Sequence, residues 1–358
     1  MLTEKAVSNI FKYTLSFDDL LLVPKYSDIE SRKEVDLTTA LGAKSYSLPI
    51  VSSPMDTVTE DSMALAMANA GGLGVIHRYN TIREQAEIVK RMHSAGREER
   101  EISVAIGVSG DFLERALVAT SEGAGVICVD IAHGHHSLME RALKTLKDKL
   151  PPEVTLIAGN IAMPDGYIEL SRWGADGVRV GIGGGSICST RLQTGHGVPT
   201  LQSVMACHIA RGLNRDVNVT PAAIIADGGI RTNGDIVKSL AAGADFAMLG
   251  SLLAGTSESP GTVFHDAGEK KYKVYRGMAS PEAQEDWRGF ASSLEGVSTT
   301  IPYKGSVELI LRDMTSSLKS GLSYSGARNL SELRSKCEFV IQTSAGQSES
   351  GTHIMRSK

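Results

Sequence analysis

The stretch Asp176-Gly177-Val178-Arg179-Val180-Gly181-Ile182-Gly183-Gly184-Gly185-Ser186-Ile187-Cys188-Ser189-Thr190-Arg191 runs from a short apolar segment straight into a glycine-rich loop. Residues 177–181 read as a buried strand, so the loop begins where that strand ends. Glycines let backbone N–H groups approach an anion closely, and Ser186 adds a hydroxyl donor. Cys188 then stands beside an anion-binding loop, where a thiolate would be stabilised and usable as a nucleophile. A surface turn with an incidental cysteine is the competing reading, and the surrounding chain decides between them.

Similar short apolar runs recur at 49–53, 73–77, 104–108, 126–131, 155–159, 222–226 and 246–250. Helical spacing fills the gaps at 61–70, 82–95, 111–122, 136–149, 164–173, 200–213 and 232–242. Strand and helix signals that alternate eight times predict an α/β fold of the (β/α)8 barrel type. The alternative, a doubly wound open sheet, would carry fewer strands and place its glycine-rich turn after the first of them. Here that turn follows the sixth.

In a barrel the active site lies at the C-terminal ends of the strands, which selects Ser53, Met55, Asp130, Asn160, Cys188, Asp227, Gly229, Gly250 and Ser251. The loops after the last two strands, Ala226-Asp227-Gly228-Gly229-Ile230 and Leu249-Gly250-Ser251, suit phosphate because their N–H groups are free. Either loop alone is equally a tight turn or a helix cap. Together, beside Ser186, they favour a nucleotide phosphate.

The whole chain, 1–358, reads as one barrel domain with additions. Residues 1–45 form an irregular N-terminal arm. The segment 254–305 departs from the repeat; Lys271-Tyr272-Lys273-Val274-Tyr275-Arg276-Gly277-Met278 reads as a hairpin strand, and 270–305 as a flap able to exclude water from the barrel mouth. Helical spacing resumes at 306–320 and 329–336, and the polar tail 342–358 reads as extended or mobile.

Composition narrows the function classes. Hydrophobic content of 42% and charged content of 22% are those of a soluble globular protein. A net charge of −4 gives no support to a nucleic-acid partner. No apolar run reaches the roughly 18 residues that span a bilayer, and the first residues lack a signal-peptide pattern, so no membrane partner and a cytoplasmic location are expected. The four cysteines, Cys128, Cys188, Cys207 and Cys337, form no C-x-x-C pair. Cys128 and Cys207 fall in core segments. His133, His135 and His136 crowd one loop, but no carboxylate or cysteine completes a metal-ligand set at fitting spacing.

Four motifs in order, Ser52-Ser53-Pro54-Met55-Asp56-Thr57-Val58, the cysteine loop, Asp227-Gly228-Gly229-Ile230 and Tyr275-Arg276-Gly277-Met278, carry a resemblance to the inosine monophosphate dehydrogenase/guanosine monophosphate reductase family. The likeness runs from Leu15 to about Ala345. It implies that Cys188 attacks the purine C2 to form a covalent adduct, with Thr190 and Glu295 in the acid/base step. Ser186, Asp227, Gly229, Gly250 and Ser251 would hold the phosphate and ribose, with Asp227 on the ribose hydroxyls. Ser53, Met55, Asn160, Arg179, Tyr275, Gly277 and Met278 would complete the nucleotide pocket. Asp130, Ala132 and His133 would lie near the nicotinamide cofactor. Carbonyls of Gly183, Gly185 and Cys188 match a potassium site, and a homotetramer is implied.

The two branches of that family differ in chemistry. The dehydrogenase oxidises inosine monophosphate (IMP) with NAD and hydrolyses the adduct; the reductase uses NADPH to deaminate guanosine monophosphate (GMP) to IMP. No regulatory module interrupts the chain after about Arg78, and the flap 277–295 lacks the Arg-Tyr pair with which a dehydrogenase activates water. Thr194-Gly195 is similar to reductases. Asp130-Ile131-Ala132-His133-Gly134-His135, Gly74-Val75-Ile76-His77, Leu253-Ala254-Gly255-Thr256 and Tyr275-Arg276-Gly277-Met278 are more similar to the dehydrogenase. The flap weighs most, because it distinguishes the chemical steps, and it favours the NADPH-dependent reductase. An IMP dehydrogenase, a reductase of a modified 7-deazaguanine nucleotide and a catalytically silent nucleotide-binding paralogue stay open.

Overall fold

The computed structural model describes residues 14–214, 216, 219–291 and 295–351. Ser16 caps a 3-10 turn at Phe17–Asp19, and strand β1 (Leu20–Leu22) follows. Strands β2 (Thr39–Leu41) and β3 (Lys44–Tyr46) make a hairpin. Then come β4 (Ile50–Ser52), β5 (Leu73–Ile76), β6 (Ile102–Ile106), β7 (Val126–Asp130), β8 (Thr155–Ile161), β9 (Gly177–Val180), β10 (Ala223–Asp227) and β11 (Phe246–Leu249). These eight pair in parallel, each with the next, and β11 returns to β4 to close a barrel. The (β/α)8 expectation is met, with strand ends shifted by two residues or fewer.

The near-continuous apolar character of these strands has a direct cause. Alternate side chains such as Val51, Val75, Ile157, Ile225 and Phe246 fill the barrel interior. The others, among them Ile50, Val104, Ile127 and Val178, pack outward against the helices. Both faces are buried, so charge is confined to the C-terminal ends of the strands, at Asp130, Arg179 and Asp227.

The expectation of an irregular first 45 residues is corrected. The β2–β3 hairpin plugs the barrel's N-terminal end with Leu41 and Tyr46, and Tyr46 meets Phe246 edge-on at 5.7 Å. Gly177 must lack a side chain, because a Cβ there would lie 2.6 Å from Leu41 Cδ1. Three-residue strands are too short to display a period of two, so the sequence pattern did not reveal the hairpin.

The tail also differs from expectation. Strand β15 (Phe339–Ile341) pairs antiparallel with β1, and Ser344–Glu349 is helical rather than extended. The flap is a three-stranded antiparallel sheet of β12 (Phe264–His265), β13 (Lys271–Arg276) and β14 (Ser298–Pro302). The expected hairpin strand is β13. An unforeseen helix, Pro281–Arg288, sits between β13 and β14, capped by Ser280 and ended by Gly289 at φ 79°. Residues 1–13 of the arm, 292–294 of the flap and 352–358 of the tail lie outside the described residues.

Candidate active site

A cavity of about 520 Å³ opens at the C-terminal ends of the barrel strands. Every site residue read from the sequence lines it except His133. Its walls are the loops after β4, β5, β7, β8, β9, β10 and β11, together with Tyr275, 277–279 and 295–296 of the flap. Ser16, Phe17 and Asp18 of the arm complete the rim.

Glycine is needed here because two loops touch backbone to backbone. A Cβ on Gly181 would lie 1.8 Å from the Asp227 carbonyl, and one on Gly228 would lie 3.0 Å from the Gly185 nitrogen. Gly228 also adopts φ 91°, a conformation that penalises other residues. The glycine run after β9 and Asp227-Gly228-Gly229 after β10 are therefore one packed unit. Beside it, the Tyr275 hydroxyl lies 3.4 Å from Ser186 Oγ, and Gly250 is bare against the same hydroxyl. Burial pushes the Tyr275 phenol above its ordinary pKa, so it stays a neutral donor.

Cys188 is half-buried, and its thiol donates to Thr190 Oγ1 at 3.1 Å. Thr190 Oγ1 in turn donates to Glu295 Oε2 at 2.8 Å. Glu295 comes from the flap, 105 residues later in the chain than Thr190. Backbone bonds fix that approach. Ser189 N–H donates to the Glu295 carbonyl at 3.0 Å, Val297 N–H to the Ile187 carbonyl at 3.1 Å, and Cys188 bridges Gly296 in antiparallel fashion. The other cysteines are poor nucleophiles by comparison. Burial pushes the Cys128 thiol up to about 12 and raises Cys207 and Cys337 as well.

Below the cysteine loop lies a chain of charges. Arg179, only 7% exposed, donates to Asp130 Oδ1 at 2.5 Å and to Asp227 Oδ2 at 2.8 Å. Asn160 Nδ2 donates to the same Asp227 oxygen at 2.7 Å, and Arg78 Nε reaches Asp130 Oδ2 at 3.4 Å. Burial alone would raise the Asp130 carboxyl, but Arg179 and Arg78 outweigh it and hold it below its ordinary value. The same two carboxylates raise Arg179 against its own burial. Arg179 thus orients Asp130 and Asp227 from beneath rather than presenting a free guanidinium to the cavity.

His133 is exposed outside the lining, edge-on to His135 at 6.5 Å. His135 Nε2 lies 2.8 Å from Glu169, and His136 caps the next helix by accepting the Leu138 N–H. Among the described residues no cluster of three His, Cys, Asp or Glu side chains could hold a metal. Several lining residues escaped the sequence reading, notably Arg78, Tyr79, Phe17, Asp18 and Arg231. Arg78 and Tyr79 directly follow β5, so the strand-end rule that found Ser53 and Asp130 could have found them.

The sequence model described as "IMP dehydrogenase / GMP reductase domain" matches residues 14–353. The chain is 36% identical to inosine-5'-monophosphate dehydrogenase of Nitrosopumilus maritimus, covering 96% of this chain and 98% of that protein over 481 aligned positions. It is also 36% identical to GMP reductase of Lactobacillus gasseri, covering 94% and 98% over 345 positions. A crystal structure of a cysteine-to-alanine variant of Trypanosoma brucei GMP reductase, in complex with guanosine 5'-monophosphate, superposes with a TM-score of 0.87. That pair shares 31% identity over 98% of this chain and 99% of the other. No helix among the described residues is long and apolar enough to cross a membrane. With the closed barrel, the cysteine loop and these matches over nearly its whole length, the chain belongs to the IMP dehydrogenase/GMP reductase family of oxidoreductases.

Proposed function

We propose that the protein is a GMP reductase, converting GMP to IMP and ammonia with NADPH through a covalent adduct on Cys188. The hydrogen-bonded relay from Cys188 through Thr190 to Glu295, at 3.1 and 2.8 Å, supports the covalent chemistry, and the observation that carries the reductase reading is the flap sequence. Cys188 loses its proton to Thr190 and Glu295, and the thiolate adds to C2 of the guanine. The relay returns a proton to the 2-amino group, which leaves as ammonia. A bound nicotinamide would supply the hydride that C2 takes as the Cys188 thiolate leaves, which would give IMP. Overall, GMP, NADPH and two protons become IMP, NADP+ and ammonium. A dehydrogenase would need a base aimed at water, and the flap segment 277–295 contains no tyrosine and no Arg-Tyr pair.

Ser186, Tyr275, Gly229, Gly250 and Ser251 surround the space suited to the phosphate, and Asp227 presents its carboxylate to the ribose. Ser53, Met55, Asn160, Gly277 and Met278 line the purine side. The nicotinamide fits the part of the cavity over Asp130 and Ala132 and would supply a hydride when bound. Arg78 and Arg179 keep Asp130 ionised and pinned, so that wall is rigid before the cofactor enters. The carbonyls of Gly183, Gly185 and Cys188 are neutral oxygen donors of the kind that suit potassium. There the ion would brace the loop and take no part in bond making. The assembly expected with this activity is a cytoplasmic homotetramer.

The test is a pair of assays. Loss of NADPH absorbance with GMP is the expected result. Gain of NADH absorbance with IMP and NAD, without any consumption in the first assay, would replace this reading with the dehydrogenase one, which the equal 36% identities keep in play.

A further inference from the structure

Tyr79 stands on a loop that is fixed from below. Its backbone N–H donates to His77 Nδ1 at 3.1 Å, and the buried Arg115 donates to the Asn80 carbonyl at 2.9 Å. On this fixed base the flap helix Pro281–Arg288 is seated by its last turn. The Trp287 and Tyr79 rings stack with centroids 4.3 Å apart and planes 9° from parallel. Arg78 Cζ lies 5.6 and 5.7 Å from the two ring centroids, and Arg288 Cζ lies 5.8 Å from Trp287.

Two further links turn this stack into part of the site. The Tyr79 hydroxyl donates to the Met278 carbonyl at 2.6 Å, and residues 277–279 line the cavity. Arg78, over the stacked rings, also donates to Asp130. Asp286, next to Trp287, receives Arg276 Nη1 at 2.5 Å, and Arg276 also holds Asp56 beside Met55. The helix is thus linked to cavity-lining residues through 277–279 just before its start and through Arg78, while Arg276 ties it to Asp56 beside Met55.

We propose that Trp287 is a positioning residue whose stack on Tyr79 holds the flap over the cofactor half of the cavity and keeps Arg78 against Asp130. It is not among the residues that line the cavity. A stack of two aromatics flanked by two guanidiniums is worth more than its buried area, because the ring faces attract the cations. Trp287 is 37% exposed, so a plain packing role would leave little trace in binding when it is removed. The proposal rests on the reading that a nicotinamide cofactor enters over Asp130.

The chain has two tryptophans, so Trp173→Phe leaves Trp287 as the sole indole reporter. In that background, without substrates, Tyr79→Ala is expected to raise acrylamide quenching of Trp287; unchanged quenching would overturn the stack in solution. Kinetics on the full chain supply the second arm. Trp287→Ala is expected to raise KM for NADPH about tenfold while KM for GMP moves less than about twofold, and Trp287→Phe to recover most of the loss. A Trp287→Ala variant with lower thermal stability but an unchanged ratio of the two KM values would overturn the proposal. If GMP and NADPH do not react even with the unaltered protein, the proposed function fails by itself. The NADPH dissociation constant, from equilibrium dialysis, then judges the latch by the same tenfold criterion.

Discussion

Cys188 differs from the other three cysteines in its surroundings, not its chemistry. Cys128 and Cys207 are fully buried, and burial penalises a thiolate, whereas Cys188 has a hydroxyl 3.1 Å away and a carboxylate behind it. Cys188→Ala should lower kcat by at least ~10³-fold while GMP still binds, measured by steady-state turnover and by equilibrium dialysis. Glu295→Gln keeps the shape of the relay but not its base, and should cost about 10²- to 10⁴-fold in kcat with KM for GMP little changed. The buried ion cluster gives a prediction about stability. Arg179→Met removes the guanidinium shared by Asp130 and Asp227, leaving Asp130 only the longer contact to Arg78 and Asp227 only a neutral donor in Asn160, which should destabilise the fold by about 3 kcal/mol near neutral pH. The Asp130 carboxyl is held low in the fold, so its contribution is fully present above its unfolded value of about 3.9 and is lost as pH falls through the folded value. The deficit of Arg179→Met should therefore shrink in acid, in urea-unfolding midpoints measured across pH, and a pH-independent deficit would count against the charge account. At this scale Cys188, Asp227 and Asn160 were legible because strand ends mark them. Glu295 came only through family resemblance, since no local pattern ties a flap carboxylate to a threonine 105 residues earlier.

Elements long enough to express a period were the ones legible in advance. The strands at 102–106 and 155–161 declare themselves by apolar runs and helices such as Ile82–Ser94 by their helical spacing. The β2–β3 hairpin, the helix Pro281–Arg288 and the helix Ser344–Glu349 did not, because they are short and their residues are mostly polar. For Pro281–Arg288 a serine cap, proline in the first turn and a terminal glycine were nevertheless present. The hairpin's role as a barrel plug makes a double-mutant prediction. Gly177→Ala should destabilise by about 1–3 kcal/mol through overpacking against Leu41. Leu41→Ala should cost about 2–5 kcal/mol through the cavity it leaves. The new methyl fills part of that cavity, so the double variant should cost less than the sum, as read from urea-unfolding midpoints. Strict additivity would mean that Leu41 does not plug the barrel beside Gly177.

At the scale of the molecule, equal identity to a dehydrogenase and a reductase leaves both branches open, so the proposed direction of reaction rests on the flap. The structure adds a second long-range dependence, between the chain's two ends. β15 pairs with β1, the Gln342 N–H donates to the Asp19 carbonyl at 2.9 Å, and Gln342 Nε2 donates to the Asp18 carbonyl at 2.6 Å. Phe17 and Asp18 are the same residues that rim the cavity. Phe17 packs beside Gly229, and Asp18 pairs with Arg231. The C-terminal strand thus holds the arm that rims the cavity beside the proposed phosphate position, although no residue of that strand lines the cavity. A chain ending at Lys336 keeps the barrel and its last helices but loses this clasp, and local opening of the arm then competes with nucleotide binding. Its dissociation constant for GMP should rise about five- to tenfold by equilibrium dialysis, with the arm newly open to limited proteolysis between residues 14 and 30. Cleavage of the arm with GMP affinity unchanged would show that Phe17 and Asp18 merely border the cavity, and the phosphate side would then be closed by the Ser186, Gly229 and Ser251 loops alone.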